Sequence, residues 1–367
     1  MGTIADKLQK LLSTKEAIKQ AIIGKGVSIS DADTFSSYAS KIQQIEAGGG
    51  TGGGSEEWEI TDCSHLFRDA ARLDIFDEIA AHIKKPTSFY YAFYQNSSNS
   101  NYRIIDMSKL GDTSAVTSCA YMFGNCAYIQ EINNFGDLSS CTTGERMFYG
   151  CSWLEKLDLS NVSFAVLKNA SNMFYNCKAL TKIDLTLPTL DNATYMFYGC
   201  STLTDVNLKG ILGSGTITNM SFMFYQCSDI TELDFAECNT SNVQTVSSSF
   251  ARMSELISLL NLDLSGVTST SYLNFFGSYT ANNVKNITFK QGTVFGKSTQ
   301  TSEIILNLTR ATAFDTDGYV NMINSLGTNE TGCIRTIKLY TELYNALTDE
   351  HKALATNKNY NLSYGTS

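Results

Sequence analysis

The sequence predicts an α+β repeat solenoid, preceded by a helical hairpin and closed by a small α+β cap. Three observations predict it. The block Met-Phe-Tyr-x-Cys recurs at regular spacing, each copy leads into an apolar run of the form Leu-x-x-Leu-Asp-Leu, and the composition leans towards β-structure. Only 17% of the residues are charged, Pro occurs twice, and there are 19 Tyr and 20 Phe, so charged helical surfaces are scarce. A length of 367 residues exceeds one compact core and points to two or three structural units.

In chain order, residues 4–23 read as a helix. Ile4, Leu8, Leu11, Ile18 and Ile22 form a heptad-like apolar seam, and Gly24 and Gly26 end it. A second helix begins near Asp31 and Asp33 and carries Phe35, Tyr38, Ala39, Ile42 and Ile45 on one face. The hairpin of residues 1–47 has little core of its own, so its seam is expected to anchor on another protein or to make a homo-oligomer. Residues 48–56, with the glycine run from Gly48 to Ser55, follow as a flexible tether of roughly 16 Å reach. Met1 to Asp6 contain no apolar leader or cleavage site, so the chain is expected to be made and folded in the cytoplasm.

Residues 57–295 carry the repeat. Met122, Met147, Met173, Met196 and Met223 mark its phase at spacings of 25, 26, 23 and 27. Weaker copies at Leu66-Phe67, Ala92-Phe93, Ser249-Phe250 and Phe275-Phe276 bring the series to nine units. This period belongs to the leucine-rich class, a leucine-rich-repeat-like solenoid of parallel strands and short helical or 3-10 returns. The strand half is Leu154-x-x-Leu157-Asp158-Leu159, repeated at 180–185, 203–208 and 230–235. Its alternation turns the apolar residues inward and Asp or Asn outward. The Met-Phe-Tyr-x-Cys half reads as the return, with Met, Phe and Cys buried. One unit cannot bury its apolar half, so stacking supplies the core, and nine strands span roughly 40 Å.

Five cysteines share one repeat position: Cys126, Cys151, Cys177, Cys200 and Cys227. A fixed phase means reduced core filling more readily than a disulfide set. There is no CxxC, and the three histidines (His65, His82, His351) are scattered, so no metal site is predicted. Residues 296–367 read as the cap: strand 303–308, helix 318–326, strand 334–339, helix 341–355 with a cap-like turn at Thr348, and strand 360–364.

The units Asn219–Ser228 and Cys177–Leu185 resemble the BspA-like leucine-rich repeat, also called the DUF285 repeat of bacterial surface proteins; Leu347 to Lys358 is similar to the closing segment of such proteins. Residues Thr3–Leu8, Thr14–Lys19 and Asp33–Ala39 look like the leader of phage virion proteins such as tail, baseplate and fibre components. Together these resemblances imply a bacteriophage virion structural protein (tail, baseplate or head-fibre appendage), assembled in the host cytoplasm. Other virion proteins would then be its partners through the N-terminal helices, and the solenoid would adhere to a bacterial surface glycan or protein. The alternative they imply is a bacterial cell-surface adhesin whose export signal is not in this sequence.

No enzyme is expected. G-x-S-x-G, Walker and dinucleotide glycine patterns are missing, and Cys63 with His65 lacks an orienting third group. No cofactor is expected either. The net charge of −9 disfavours nucleic acid, and no apolar run is long enough to predict membrane insertion. Two columns carry the recognition expectation. Tyr149, Tyr175, Tyr198 and Tyr225 follow the buried Phe, either as a binding surface or as a ladder that stabilises the stack. Asp158, Asp184, Asn207, Asp234 and Asp263 form an outward strand column, either a polar binding strip or a solvated face relieved by Lys156 and Lys182. Single carboxylates in a line do not converge as a calcium site requires.

Overall fold

The computed structural model describes residues 18, 60–68, 80, 83–95, 103–159, 161–268, 273–279, 281, 283–299, 302–330 and 332–366. The chain divides into two compact units, Met1–Trp58 and Glu59–Ser367. Ile18, helical and half-buried, is the described residue of the N-terminal seam; Ile4, Leu8, Leu11 and Ile22, the second helix and the tether lie outside the described residues.

The second unit is the expected solenoid, and all its strand pairs are parallel. β1 (Ile104–Asp106), β2 (Glu131–Asn133) and β3 (Lys156–Leu157) form one sheet, and β4 (Lys182–Ile183) pairs with β5 (Asp205–Val206). β6 (Glu232–Asp234), β7 (Ser258–Leu262) and β8 (Asn286–Phe289) form the next sheet. These strands are short because only the apolar centre of each Leu-x-x-Leu-x-Leu run needs to pair. Leu154, Leu180, Leu203 and Ile230 are fully buried, and so are Leu159, Leu185 and Phe235 at the run's end.

The Met-Phe-Tyr-x-Cys segment is not helical. Eight successive rungs among the described residues cross it as linked tight turns, beginning at Asp62, Ser88, Ser118, Thr143, Asn169, Asn192, Asn219 and Thr245. Amides alternate in use. In the rung from Asn169, Met173 N donates to Ala170 O (3.1 Å) and Cys177 N to Phe174 O (3.0 Å), closing local turns. Between them Asn172 N donates to Thr194 O (2.9 Å), Phe174 N to Met196 O (2.9 Å) and Asn176 N to Tyr198 O (2.7 Å), all on the next rung. A helix would spend all these amides locally and leave the rungs unjoined; the turn arc satisfies both demands at once. Short helices occur elsewhere: 3-10 turns at Met107–Leu110 and Thr113–Ala115, and α1 (Leu208–Leu212) capped by Asn207.

Two residues per arc are left-handed. The third after the arc's start is so in Tyr91, Tyr121, Arg146, Asn172, Tyr195 and Phe222, with φ between 53° and 58°. The seventh is left-handed too, as Gln95, Asn125, Gly150, Asn176, Gly199, Gln226 and Arg252 in turn. The alternation of Asn and Gly from Asn125 to Gly199 is steric. A Cβ at Gly150 would lie 2.7 Å from Asn125 Oδ1, and one at Gly199 2.2 Å from Asn176 Oδ1. Each asparagine side chain fills the space its neighbour leaves empty.

The core is a set of columns. Met122, Met147, Met173, Met196 and Met223 are fully buried. The phenylalanines stack from Phe67 through Phe93, Phe123, Phe148, Phe174, Phe197, Phe224 to Phe250, with centroids 4.9–6.3 Å apart. The repeat cysteines are buried free thiols. Each donates to the phenylalanine carbonyl one rung back, as Cys177 Sγ to Phe148 O at 3.1 Å and Cys200 Sγ to Phe174 O at 3.0 Å. Cysteine suits this slot because it is small, apolar and still a donor.

The closing element follows the expected order: β9 (Ile304–Leu308), α2 (Thr316–Ser325), β10 (Arg335–Tyr340), α3 (Thr341–Ala346), α4 (Asp349–Thr356) and β11 (Asn361–Gly365). The last helix breaks in two at Leu347, where Thr348 caps α4 and His351 takes the reciprocal place in the capping box. The closing element shares its core with the solenoid: Leu273 bridges to Leu306, and Phe289 N donates to Ser325 Oγ at 2.9 Å. Arg335 is fully buried, its guanidinium donating to the carbonyls of Phe295, Gly296 and Lys297.

Candidate recognition face

The arcs present two aromatic columns outward, at the third and sixth residues. Tyr149, Tyr175, Tyr198 and Tyr225 form one stack: 4.8 Å at 14°, 4.5 Å at 3° and 4.5 Å at 5° between successive rings. Spacing near the rung separation lets identical rings lie face to face, offset along the solenoid. Beside it, His65, Tyr91 and Tyr121 stack at 5.2 and 4.4 Å, and Tyr195 stacks on Phe222 at 4.7 Å. These side chains stand on left-handed residues. Residue type therefore gave no warning of a second aromatic column, although the recurrence of Tyr91, Tyr121, Tyr195 and Phe222 at one phase was a usable signal.

Arginines tie the columns together. Arg68 lies 5.3 Å from Tyr91 and 5.2 Å from Tyr94. Arg146 lies 5.1 Å from Tyr121 and 6.0 Å from Tyr149, and donates to the Tyr121 hydroxyl. Arg252 lies 4.1 Å from Tyr279 and 5.8 Å from Tyr225. Tyr279 meets Tyr225 edge to face at 5.7 Å, closing the end of the stack. Burial holds the Tyr175 phenol above its ordinary range, with Tyr198 and Tyr149 adding to the effect. The hydrogen bond from Tyr225 draws Tyr279 downward, helped by Arg252. The face is thus a stacked, mostly neutral band whose ring faces are used up in stacking, half-buried at Tyr149, Tyr175 and Tyr198 and buried at Tyr225.

A polar column borders the band. In the arcs from Asp62 to Asn219 the first residue accepts from the amide two residues on, as Asn169 Oδ1 from Ser171 N (3.0 Å) and Asn192 Oδ1 from Thr194 N (3.0 Å). The repeated Asp, Ser, Thr or Asn at this phase was a legible turn signal that reasoning centred on the Met-Phe block passed over.

The strand column differs from its expectation in one member and in its chemistry. Asp184 and Asn207 stand side by side, Asn207 Nδ2 donating to Asp184 Oδ1 at 2.8 Å. Asn134 does the same to Asp106 (2.9 Å), and Asn261 to Asp234 (2.6 Å). Asp158 is exposed in the same column. Asp263 is not in it. Asp234 pairs with Leu260, and the side chain of Asn261, left-handed at 58°, reaches it from the next position; β7 carries one extra residue against β8 between Leu259 and Leu262, and Asp263 beyond it is buried and accepts from Ser265. Amide donors between carboxylates replace the expected row of like charges. Lys182 pairs with Asp205 at 2.8 Å, and Lys156 with Glu131 at 3.5 Å. Among the described residues no group of His, Cys, Asp and Glu is arranged to hold a metal.

Burial pushes the thiols of Cys151, Cys177 and Cys227 well up and that of Cys200 to about 12, which removes the thiolate that nucleophilic chemistry needs. Cys63 is likewise raised to about 12 by burial and by Asp62, which withholds its thiolate as well.

The model of the BspA type leucine rich repeat region matches the chain in six copies, over residues 87–214, 117–257 and 170–301. The match starts at residue 87 and does not reach residues 1–47. None of the curated proteins compared matches the chain. Among solved structures, a leucine-rich repeat protein from Bacteroides ovatus is similar at 15% identity with a TM-score of 0.34, over 70% of this chain and 64% of that one. This chain therefore spans less than two thirds of that protein's length. Because the family matches together run from residue 87 to residue 301, more than half of the 367 residues, the chain belongs to the BspA-type leucine-rich-repeat family.

Proposed function

We propose that the chain is a non-enzymatic recognition protein whose solenoid presents the tyrosine band to a protein partner at a bacterial cell surface. The observation that carries this reading is the stack Tyr149, Tyr175, Tyr198 and Tyr225, with Arg146 beside its first ring and Arg252 beside its last. Tyr and Arg are the residues that concentrate binding energy at protein interfaces. Their rotamers are already fixed by stacking, so binding costs little further side-chain entropy. Membership of the BspA-type family supports an adhesive or protein-binding role.

The test is binding of the full chain to immobilised matrix and cell-surface proteins, measured by biolayer interferometry. Saturable binding to at least one is expected, weakened about tenfold or more by the double change Tyr175→Ala and Tyr198→Ala. Absence of binding across the panel, or binding indifferent to the double change, refutes the reading.

A second placement, as a phage tail, baseplate or head-fibre appendage, rests on the resemblance of residues 3–39 alone. There the N-terminal helices would anchor the chain, as a homo-oligomer, to other virion proteins. Antibody to the solenoid separates the two placements: label on intact bacteria supports the surface adhesin, and label on purified particles supports the virion.

A further inference from the structure

Away from the tyrosine band, two exposed aromatic side chains meet at a corner of the solenoid. Tyr128 and Trp153 occupy the same place on successive rungs, two residues after Cys126 and Cys151, and Trp153 N donates to Ala127 O at 3.2 Å. Their rings meet edge to face at 5.5 Å and 79°. Trp153 is 45% exposed and Tyr128 37%. The adjoining column is Arg103, Gln130 and Glu155, joined by Gln130 N to Arg103 O (2.8 Å) and Glu155 N to Gln130 O (2.9 Å). The Arg103 guanidinium lies 6.0 Å from the Trp153 ring centre, and its Nη1 donates to Gln130 Oε1 at 3.5 Å.

We infer that this corner is a carbohydrate-binding platform for a short stretch of a neutral glycan. Three features carry the assignment. First, the rings of the tyrosine stack cover one another's faces, whereas Tyr128 and Trp153 meet at right angles and the indole is 45% exposed, which offers aromatic surface to the C–H side of a pyranose beside the Arg103 guanidinium. Second, the rim matches hydroxyl chemistry. Arg103 donates, Glu155 accepts, and the Gln130 amide does both, as a ligand whose hydroxyls both donate and accept requires. Third, the size fits. The aromatic surface covers two rungs, about 4.8 Å apart, and gives way to Ala179, Thr202 and Asp229 at the same place on the next three. A protein interface needs about 800 Å² from each partner, far more than an indole and a phenol supply; a sugar ring needs no more than these.

The site is separate from the tyrosine band, so its test does not depend on the adhesive reading. In a Trp58→Phe background Trp153 is the remaining indole of the two in the sequence. Its emission is followed while cellotriose, maltotriose, chitotriose and mannotriose are added, each up to about 10 mM, the weak end of specific binding. A saturable spectral shift with at least one trisaccharide is expected. By calorimetry that binding weakens about tenfold or more in Trp153→Ala and stays unchanged in Tyr175→Ala, with near-ultraviolet circular dichroism confirming that Trp153→Ala keeps the tyrosine stack. No response to any trisaccharide, or binding that survives Trp153→Ala, overturns the assignment.

Discussion

Phe174→Ala probes what holds the rungs together. Phe174 is fully buried and lies between Phe148 at 5.4 Å and Phe197 at 5.5 Å, both nearly parallel to it. Truncating a buried phenylalanine costs about 3–5 kcal/mol through lost transfer energy and the cavity left behind. Of this, about 1–3 kcal/mol belongs to the two ring contacts, at about 0.5–1.5 each. Phe174→Leu keeps most of the volume and gives up the stacking, so it should lose only that smaller part. The solenoid is held by neighbour contacts, and a lesion in its middle weakens the coupling between its two halves. In the Trp58→Phe background, denaturant unfolding is followed by the near-ultraviolet circular dichroism of the stacked tyrosines and by Trp153 emission. The expected result is a fall of about 3–5 kcal/mol for the alanine variant, with the two probes no longer coincident. A loss below about 1 kcal/mol, the ordinary effect of a substitution, would show that the phenylalanine column does not carry the stack.

Two further outcomes follow from the polar groups. Asn207→Asp replaces the amide that donates to Asp184 at 2.8 Å with a second carboxylate, while its cap on Gly210 survives. It should cost about 1–2 kcal/mol at neutral pH and be relieved by added salt; a loss independent of salt would refute the like-charge account. Cys200 keeps its proton up to about 12 in the fold, whereas an unfolded thiol loses it near pH 8.5, so the folded state binds more protons between these values and stability falls as pH rises through them. Cys200→Ala should make the denaturation midpoint less steeply dependent on pH above about 9, by about 1.4 kcal/mol per pH unit; an unchanged slope would place the alkaline sensitivity elsewhere.

Side-chain burial was legible in the sequence; backbone path was not. The columns of Met, Phe and Cys and the Leu-x-x-Leu-x-Leu strands declare themselves because burial acts on residue type and period alone. The order of the closing element declared itself too, and so did the cap at Thr348, because caps have residue signatures; that the last helix splits in two at Leu347 did not. The turn arc was mistaken for a helical return because its left-handed positions hold Tyr121, Arg146, Tyr195 and Phe222, residues with no preference for that region. The Asn and Gly at Asn125, Gly150, Asn176 and Gly199 were the readable trace of it. Asp263 was misplaced because an irregularity near Asn261 shifts the strand by a residue, and one residue reverses which side chain faces out. Of the candidate site, one tyrosine column was visible as a repeat; the second column and the arginines between them depend on how far long side chains reach across rungs.

The arc also sets how the protein can change length. Rung starts are separated by as few as 23 residues, from Asn169 to Asn192, and as many as 30, from Ser88 to Ser118, yet the stretch from the rung start to the repeat cysteine is the same wherever that cysteine occurs. All the slack is taken up on the far side of the coil, in segments such as α1. Whole rungs can therefore be duplicated or lost without disturbing hydrogen-bond register, because each amide that crosses to the next rung meets the same carbonyl position whichever rung that is. Lineages bearing such a coil can adjust the span of the tyrosine band in steps of one ring.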